Sequence, residues 1–369
     1  MKYAIFCNTP YQLFVASCFV YGSCSSIDSV DLYVDIDNVP QNLEIVERMV
    51  NDQVLLNIYY LRRVIQHQNQ INKYLYKVRS YLQPRWILKK SMVEPELKRT
   101  DYYDAVLVSH FGAMAQWFIY SFPCAHIYLY EDGLGTYLRS NNSTLTSNID
   151  RFFSKLTGRG ADKIYPEKVL LFCPDFYEGI YQNKVEKVAG IYENPEMEML
   201  IRQIFPQEDA SIYCEYTFIY LGQPGDDYNK TRMIKTLECE KSIVQVLENT
   251  LKENVLVRPH PRQDVSLYEN LNMDMRGISW ELSCVNQLSE KSILIGRYST
   301  AQFTPKILYG KEPILIFTNM IYPPEDEARS KNIDDVINRL IRIYSDKSKI
   351  YCPRTIEEFE KLLLELRIR

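Results

Sequence analysis

Short apolar runs alternate with longer helical stretches along most of the chain, and this alternation constrains the fold more than any other feature. Each apolar run has the length of one buried strand, and each intervening stretch is long enough for a helix. Strands and helices that alternate in this way are typical of α/β proteins with parallel sheets. In the first half the predicted strands are Tyr3–Cys7, Ser29–Val34, Val54–Tyr59, Ala105–Val108, His126–Tyr130 and Val169–Phe172, with helices such as Pro10–Val20 and Gln41–Asn51 between them.

The same alternation starts again in the second half. Its predicted strands are Tyr216–Leu221, Asn254–Val257, Ser292–Ile295 and Pro313–Phe317, and its predicted helices are Asn229–Lys252, Ile333–Tyr344 and Thr355–Arg369. A chain of 369 residues exceeds the usual limit of one hydrophobic core. Prolines and polar residues interrupt the pattern between about 190 and 212. We therefore predict an α/β fold of two doubly wound Rossmann-like domains, 1–200 and 201–369, facing a central cleft.

Composition excludes several classes of protein. The net charge of −4 gives no general attraction to nucleic acid, and no DNA- or RNA-binding motif occurs. Nine scattered cysteines without Cys-x-x-Cys spacing favour free thiols in a reducing compartment over disulfides or zinc. The sequence shows no leader pattern and no apolar run of membrane-spanning length. We expect a cytoplasmic protein.

One segment departs from the acidic average. Residues 60–99 contain ten Lys or Arg and only two acids, with tyrosine, leucine and Trp86 interleaved. A solvated helical face explains this composition. A peripheral contact with anionic lipid on the inner face of a membrane explains it equally well. Binding of nucleic acid is a weaker third interpretation.

The first candidate site is the stretch Val-Leu-Val-Arg-Pro-His-Pro-Arg at 255–262. The apolar residues predict a buried strand, and Arg258, His260 and Arg262 follow at its carboxyl end. Two prolines, one of them Pro261, keep the backbone extended. Open α/β sheets bind ligands at the carboxyl ends of their strands. A titratable side chain between two cations suits a phosphate, although a plain turn would use the same residues.

The second candidate is Tyr-Leu-Tyr-Glu-Asp-Gly-Leu-Gly at 128–135. A strand again runs into polar residues, here Glu131, Asp132 and Gly133. Adjacent side chains of extended backbone point to opposite faces, so only one of the two acids can face a ligand. A carboxylate at a strand end can serve as a general base. The same residues also suit an acidic turn.

The third candidate follows the predicted strand Ser292–Ile295, where Ser299 and Thr300 open a helix. Hydroxyls and free N–H groups at a helix start can bind phosphate, or simply cap the helix. Glu281 precedes this element and is placed to bind a ribose diol. Gly222, which follows the first strand of the second half, begins a loop that contains Asp226 and Asp227.

Taken together, Glu131-Asp132-Gly133, His260-Pro261 and Ser299-Thr300 resemble the motifs of bacterial sialyltransferases of GT-B architecture. The opening Cys7-Asn8-Thr9-Pro10-Tyr11-Gln12-Leu13 is similar to the start of glycosyltransferase family 52, which holds lipooligosaccharide sialyltransferases and some glucosyltransferases. Length and domain order agree over essentially the whole chain. Thr300 stands where the family pattern has a second serine.

The resemblance implies a role for each residue. Asp132 would deprotonate the acceptor hydroxyl, and His260 would stabilise or protonate the phosphate of a CMP leaving group. The donor-binding residues would be Arg258, Pro261, Glu281, Ser299, Thr300 and Gly222. Because related families differ in the origin of the base, Asp226 or Asp227 could replace Asp132, while Glu131 and Gly133 would support the turn.

The resulting hypothesis is an inverting sialyltransferase that moves sialic acid from CMP-sialic acid to a terminal galactose of a bacterial capsule or lipooligosaccharide. No metal is expected, because CMP carries a single phosphate and the one Asp-x-Asp triplet, at 35–37, falls in a first-half loop. A homodimer is what the family suggests. A UDP-sugar donor and a non-catalytic binding protein of the same fold remain alternatives. The linkage, the acceptor and the oligomeric state are not determined by the sequence.

Overall fold

The structure is a computed structural model that describes residues 1–25, 27–37, 41–49, 55–63, 70–93, 102–138, 148–205, 212–223, 230–260, 263–276, 280–281, 288–323 and 327–368. The chain divides into two compact units, 1–206 and 207–369. The predicted boundary after residue 200 therefore falls inside the helix Pro195–Ile204. That helix belongs to the first unit because it packs there, with Arg48 Nη1 donating to Ile204 O at 3.2 Å.

The first unit is a seven-stranded parallel sheet with helices between the strands. Its strands are β1 Lys2–Cys7, β2 Ser29–Asp35, β3 Leu55–Leu61, β4 Ala105–Val108, β5 His126–Tyr130, β6 Lys168–Leu171 and β7 Val185–Lys187. Its helices are α1 Pro10–Ser23, α2 Gln41–Met49, α3 Gln70–Leu82, α4 Pro84–Ser91, α5 Ala113–Ser121, α6 Leu134–Leu138, α7 Asn148–Thr157 and α8 Pro195–Ile204. The strand order is β3-β2-β1-β4-β5-β6-β7, so the chain reverses its direction of winding between β1 and β4.

The second unit repeats this construction with six parallel strands. They are β8 Phe218–Leu221, β9 Val255–Arg258, β10 Asn272–Met273, β11 Ile293–Gly296, β12 Ile314–Phe317 and β13 Ile350–Tyr351. The helices are α9 Ile212–Glu215, α10 Lys230–Thr250, α11 Thr300–Tyr309, α12 Glu327–Ile343 and α13 Ile356–Ile368. The order β10-β9-β8-β11-β12-β13 places the reversal between β8 and β11.

The predicted α/β fold class, with two parallel sheets and interleaved helices, is confirmed. Strands of such sheets are covered by helices on both faces, which explains their nearly continuous apolar sequences. The central strands β1, β4, β8, β9 and β11 are buried almost throughout. The short strands β7, β10 and β13 are absent from the prediction because two or three residues carry no readable periodicity. None of the described helices is long and apolar enough to cross a membrane.

Candidate functional site

Several polar residues of the first unit lie together at the point where the sheet changes its direction of winding. Parallel pairing of β1 with β4 and of β4 with β5 brings the carboxyl ends of these strands to one edge. Open α/β sheets bind ligands at such a switch point. Asn8 follows β1, His110 follows β4, and Asp132 follows β5. The Tyr130 hydroxyl donates to Phe6 O at 2.6 Å, which fixes the ends of β5 and β1 relative to each other.

Asp132 is the acid that this edge holds in place. Its Oδ1 accepts a hydrogen bond from Gln12 Nε2 at 2.8 Å, and its Oδ2 lies 3.8 Å from His110 Nδ1. Gln12 is itself fixed, because its Oε1 accepts from Asn8 N at 2.6 Å. The Asp132 backbone N–H donates to Thr136 Oγ1 at 2.7 Å. The Asp132 side chain is 24% exposed, so an oriented carboxylate faces solvent, as a general base requires.

His110 is a site residue that the sequence analysis missed. Its Nδ1 lies 2.8 Å from Ser109 Oγ, and its ring lies directly over Gly112. A Cβ atom on Gly112 would approach the ring to 2.8 Å, so a larger residue there would push the imidazole from this position. The available signal was the pattern used for the other candidates, a buried strand, here Ala105–Val108, that runs into polar residues. His110 gives Asp132 a neighbour that can carry positive charge.

Glu131 has a different environment from Asp132. Its side chain is buried and accepts hydrogen bonds from Tyr11 Oη at 2.8 Å, from Tyr137 Oη, and from Phe172 N at 3.0 Å. Burial raises the pKa of Glu131 to about 7, although these three donors act in the opposite direction. The donors come from α1, α6 and the residue after β6, so Glu131 joins three elements beneath the site.

Gly133 supports the same turn through its backbone. Its φ is +70°, a left-handed conformation in which a side chain would be strained. The turn leads directly into α6, whose Tyr137 binds Glu131. Gly133 therefore lies in the turn that follows both acids, and its supporting role stays a prediction.

In the second unit the predicted residues also lie at strand ends. β9, β8 and β11 are neighbours in the sheet, and His260, Gly222 and Ser299 follow them. Gly222 N donates to Arg258 O at 3.0 Å, which ties the ends of β8 and β9 together. His260 is half-buried.

Gln263, two residues beyond the second proline, fixes the backbone of His260. Gln263 N donates to His260 O at 2.8 Å, and His260 N donates to Gln263 Oε1 at 3.2 Å. A Cβ atom on Gly222 would lie 2.2 Å from that same Oε1. Gly222 was predicted to bind the donor; in the structure its missing side chain makes room for Gln263.

Gln263 is anchored in turn by a buried acid on α10. Its Nε2 donates to Glu240 Oε1 at 3.1 Å, and the Tyr268 hydroxyl donates to the same oxygen at 2.6 Å. Burial raises the pKa of Glu240. Neither Gln263 nor Glu240 was predicted, because no sequence pattern distinguishes a supporting glutamine or helical glutamate from any other.

Arg258 occupies a buried ion-pair network. Its Nη1 bonds to Asp274 Oδ2 at 2.9 Å and to Tyr213 Oη, and its guanidinium lies 5.5 Å from the centre of the Trp280 ring. Arg276 Nε also donates to Asp274, at 2.7 Å. Burial acts to raise the pKa of Asp274, but the hydrogen bonds and the two arginines outweigh it and hold the pKa at about 2. The phosphate contact predicted for Arg258 stays a prediction; the structure gives this guanidinium an acidic partner.

Ser299 and Thr300 open α11 as predicted. Ser299 N donates to Gln302 Oε1 at 3.2 Å, and the buried Gln302 reaches back to Ile316 O at 3.0 Å. Glu281 is brought to this helix by its neighbour, because Trp280 Nε1 donates to Ala301 O at 2.7 Å. The residue predicted to bind the ribose thus adjoins a hydrogen bond to the helix that carries the residues predicted to bind the phosphate.

Comparison with protein families identifies the class of enzyme to which this chain belongs. Residues 5–318 match the model of a family described as alpha-2,8-polysialyltransferase (POLYST). The chain belongs to this polysialyltransferase family. Asp132, His260, Ser299 and Thr300 all lie inside the matched range. The protein is therefore a glycosyltransferase of the sialyltransferase kind, which takes a nucleotide-sugar donor and a glycan acceptor. Membership of family 52 and a bacterial origin stay predictions.

Solved structures confirm the GT-B type of fold. Arabidopsis thaliana UGT89C1 complexed with UDP has a TM-score of 0.53 and 9% identity, over 100% of this chain and 91% of that one. The glycotransferase of kitacinnamycin has a TM-score of 0.52 and 10% identity, over 99% and 90%. A putative UDP-N-acetylglucosamine 2-epimerase from Listeria monocytogenes has a TM-score of 0.51 and 11% identity, over 100% and 88%. No curated protein matches the sequence.

Three predicted residues of this polysialyltransferase-family protein, Pro261, Asp226 and Asp227, lie outside the described residues. The first Asp of the 35–37 triplet, Asp35, is buried and bound by Arg63 Nε at 2.8 Å. Within the described ranges, no three His, Cys, Asp or Glu side chains are grouped so that they could hold a metal ion.

Proposed function

We propose that the protein transfers sialic acid from CMP-sialic acid to a glycan acceptor, with inversion at the anomeric carbon and without a metal ion. The observation that carries this proposal is the Asp132 carboxylate, which Gln12 orients at the switch point while a quarter of the side chain stays exposed. The family match over residues 5–318 supports sialyl transfer. A buried structural acid, such as Glu131, would have no such opening.

The proposed reaction is a single displacement. The acceptor hydroxyl gives its proton to Asp132 as its oxygen forms a bond to the anomeric carbon. The bond between that carbon and the CMP phosphate oxygen breaks, and CMP leaves with a proton or hydrogen bond from His260. His110 Nδ1 lies 3.8 Å from Asp132 Oδ2 and helps to hold the carboxylate in position.

Several residues of the second unit are proposed to hold CMP. Ser299 and Thr300 supply their hydroxyls to the phosphate, Thr300 adds its N–H group at the helix start, and Glu281 binds the ribose. Arg258 places a positive charge near the phosphate, although its guanidinium also forms an ion pair with Asp274. The hydrogen bonds of Gln263 support this proposal, because they fix the backbone of His260 independently of any ligand.

Two acceptors follow from different observations. The sequence resemblance implies a terminal galactose. The description of the matched family favours sialic acid as acceptor, joined through an α-2,8 linkage. With either acceptor, Asp132 would remove the proton of the attacking hydroxyl, so the same residue would act as the base. Parallel assays with lactose and with an α-2,8-linked sialic acid oligomer, analysed by mass spectrometry, distinguish the two acceptors.

The donor is tested first by thermal unfolding. A ligand that binds only the folded protein raises the unfolding temperature by mass action. We expect CMP to raise it and UDP to leave it unchanged. Stabilisation by UDP-glucose with no effect of CMP would instead assign a UDP-sugar donor, the alternative raised by the glucosyltransferases of family 52.

Turnover separates an enzyme from a binding protein of the same fold. We expect CMP release from CMP-sialic acid in the presence of an acceptor, at equal rates with and without EDTA. Tight CMP binding without transfer to either acceptor would favour a non-catalytic protein. A rate that EDTA abolishes and Mg²⁺ restores would contradict the metal-free mechanism.

A further inference from the structure

The first unit contains a basic surface that the proposed reaction does not use. Residues 70–93, which form α3 and α4, carry six Lys or Arg and no Asp or Glu, whereas the whole chain has a net charge of −4. Lys89 and Lys90, at the end of α4, are both exposed. Because the segment has no acids of its own, it contributes only positive charge to this part of the surface.

Large apolar side chains lie exposed among these cations. Leu75, Arg79 and Leu82 follow each other at spacings of four and three residues, which places them on one face of α3. Leu75 is 56% exposed and Leu82 is 51% exposed. The Arg79 guanidinium lies 4.6 Å from the centre of the Trp86 ring, so the aromatic ring of α4 is held beside the same face.

Helix α7, more than sixty residues further along the chain, extends this surface. Phe152 is 61% exposed and Leu156 is 64% exposed, and their spacing of four places them on one face. The exposed Arg151 and Lys155 adjoin them.

One contact from α7 and one from Arg159, two residues beyond its end, reach α3. The rings of Phe153 and Tyr81 stack with their centres 5.8 Å apart, and Arg159 Nη1 donates to Leu82 O at 3.3 Å. The exposed faces of α3 and α7 therefore belong to one packed group of helices. We call this group, α3, α4 and α7 with their exposed cations and apolar side chains, the basic–apolar surface.

We propose that the basic–apolar surface binds the anionic face of a lipid bilayer, with Phe152, Leu156, Leu75 and Leu82 entering the acyl boundary. Cations around exposed leucine and phenylalanine are the chemistry of interfacial binding, in which apolar side chains enter the bilayer and Lys and Arg meet lipid phosphates. A soluble polyanion would be attracted by the same cations but would gain nothing from four exposed apolar side chains. The proposal does not depend on the transfer reaction.

Co-sedimentation with vesicles tests this surface. The full chain is mixed with vesicles of phosphatidylcholine alone or of phosphatidylcholine and phosphatidylglycerol in a 3:1 ratio. We expect binding only to the second, decreasing as salt is raised. The paired substitution Phe152→Ser/Leu156→Ser should weaken binding roughly tenfold through lost apolar contact. Lys89→Glu/Lys90→Glu should weaken it by at least roughly 25-fold, because each of the two cations near an anionic surface contributes roughly fivefold.

Matched variants elsewhere on the protein control for general effects. Ile180→Ser/Met199→Ser removes two apolar side chains that are 60% and 58% exposed, and Lys331→Glu/Lys361→Glu reverses two exposed charges on the second unit. Both should bind vesicles as the unchanged protein does, and all four variants should keep its circular dichroism.

Three results would overturn the proposal. The first is equal binding to both kinds of vesicle, and the second is a loss of binding in the control variants as large as in the test variants. The third is unchanged vesicle binding by Phe152→Ser/Leu156→Ser together with displacement of the protein by heparin. That result would assign the surface to a soluble polyanion.

Discussion

The strand ends of the first unit and those of the second unit hold their polar residues in different ways. Asp132 is held by side chains, from Gln12 on α1 and from His110 after β4. His260 is held through its backbone, by a glutamine three residues away. The first arrangement is assembled from distant parts of the chain, and the second is almost local.

The polar residues at the strand ends of the two units are therefore held in place in two different ways. In the first unit the side chains that contact the acid also orient its carboxylate, so their removal should change the chemistry. In the second unit Gln263 holds the main chain of His260, and Glu240 holds the side chain of Gln263. Their loss should change position more than reactivity. The variants below test this contrast in order of decreasing effect on transfer.

Replacement of the proposed base should have the largest effect. Asp132→Asn keeps the size of the side chain and an acceptor for Gln12 Nε2 but cannot take a proton. We expect kcat to fall about 10³–10⁴-fold while CMP still raises the unfolding temperature. Asp226→Asn and Asp227→Asn should remain active. If Asp132→Asn is active and either Asp226→Asn or Asp227→Asn is inactive, the base belongs to the second unit.

His260→Ala should rank second. The imidazole acts at the leaving group mainly in the transition state, so kcat should fall about 10²–10³-fold with a smaller change in donor KM. Steady-state kinetics with varied CMP-sialic acid measure both quantities. Ser299→Ala should be milder and appear partly in KM, because its hydroxyl also holds the ground-state phosphate. A near-normal kcat in His260→Ala would remove the role assigned to this residue.

His110→Ala tests whether the acid depends on its neighbour. Loss of a partner to a charged group typically costs about tenfold, and we expect this loss in kcat rather than in donor KM. His110→Gln keeps an N–H donor and should recover part of the rate, which a purely steric role would not explain. Equal rates for His110→Ala and the unchanged protein would leave Gln12 as the residue that orients Asp132.

Gly222→Ala tests the backbone support of His260. The new Cβ would lie 2.2 Å from Gln263 Oε1 and force that side chain from its place. An off-rotamer side chain costs enough to predict a loss of about threefold to tenfold in kcat/KM. Gly135→Ala is the matched control, because nothing lies within 4 Å of its added Cβ. Equal activity of the two variants would show that Gln263 does not position His260.

Glu131→Gln should change transfer least and stability most clearly. The pKa of Glu131 is about 7 in the folded protein against an ordinary value of 4.5, so the folded state binds its proton more tightly. The resulting stabilisation is complete below about pH 4.5 and is lost as the pH rises through about 7, about 3 kcal/mol in all. Urea unfolding at pH 5 and pH 8 should show this loss in the unchanged protein but not in Glu131→Gln. The same pH dependence in both proteins would contradict the assignment.

The local pattern predicted most of the fold and several of the site residues. Strands such as Ala105–Val108 and His126–Tyr130 have the bounds in the structure that their apolar runs predicted. Asp132 and His260 were predicted as site residues because each lies just past the carboxyl end of such a run, and their roles stay predictions. The two units divide after residue 206, within the interrupted stretch between about 190 and 212, and α8 packs on the first unit through the contact of Arg48 with Ile204.

The sequence by itself determined the two α/β halves and the residues at their strand ends, because apolar periodicity and strand termination are local properties. Only the tertiary structure decided what those residues contact. Gln12 meets Asp132 across 120 positions, and Arg258 meets Asp274 through the pairing of β9 with β10. Such partners depend on which strands become neighbours in the sheet, and that choice is made by the packing of the whole unit rather than by any short segment.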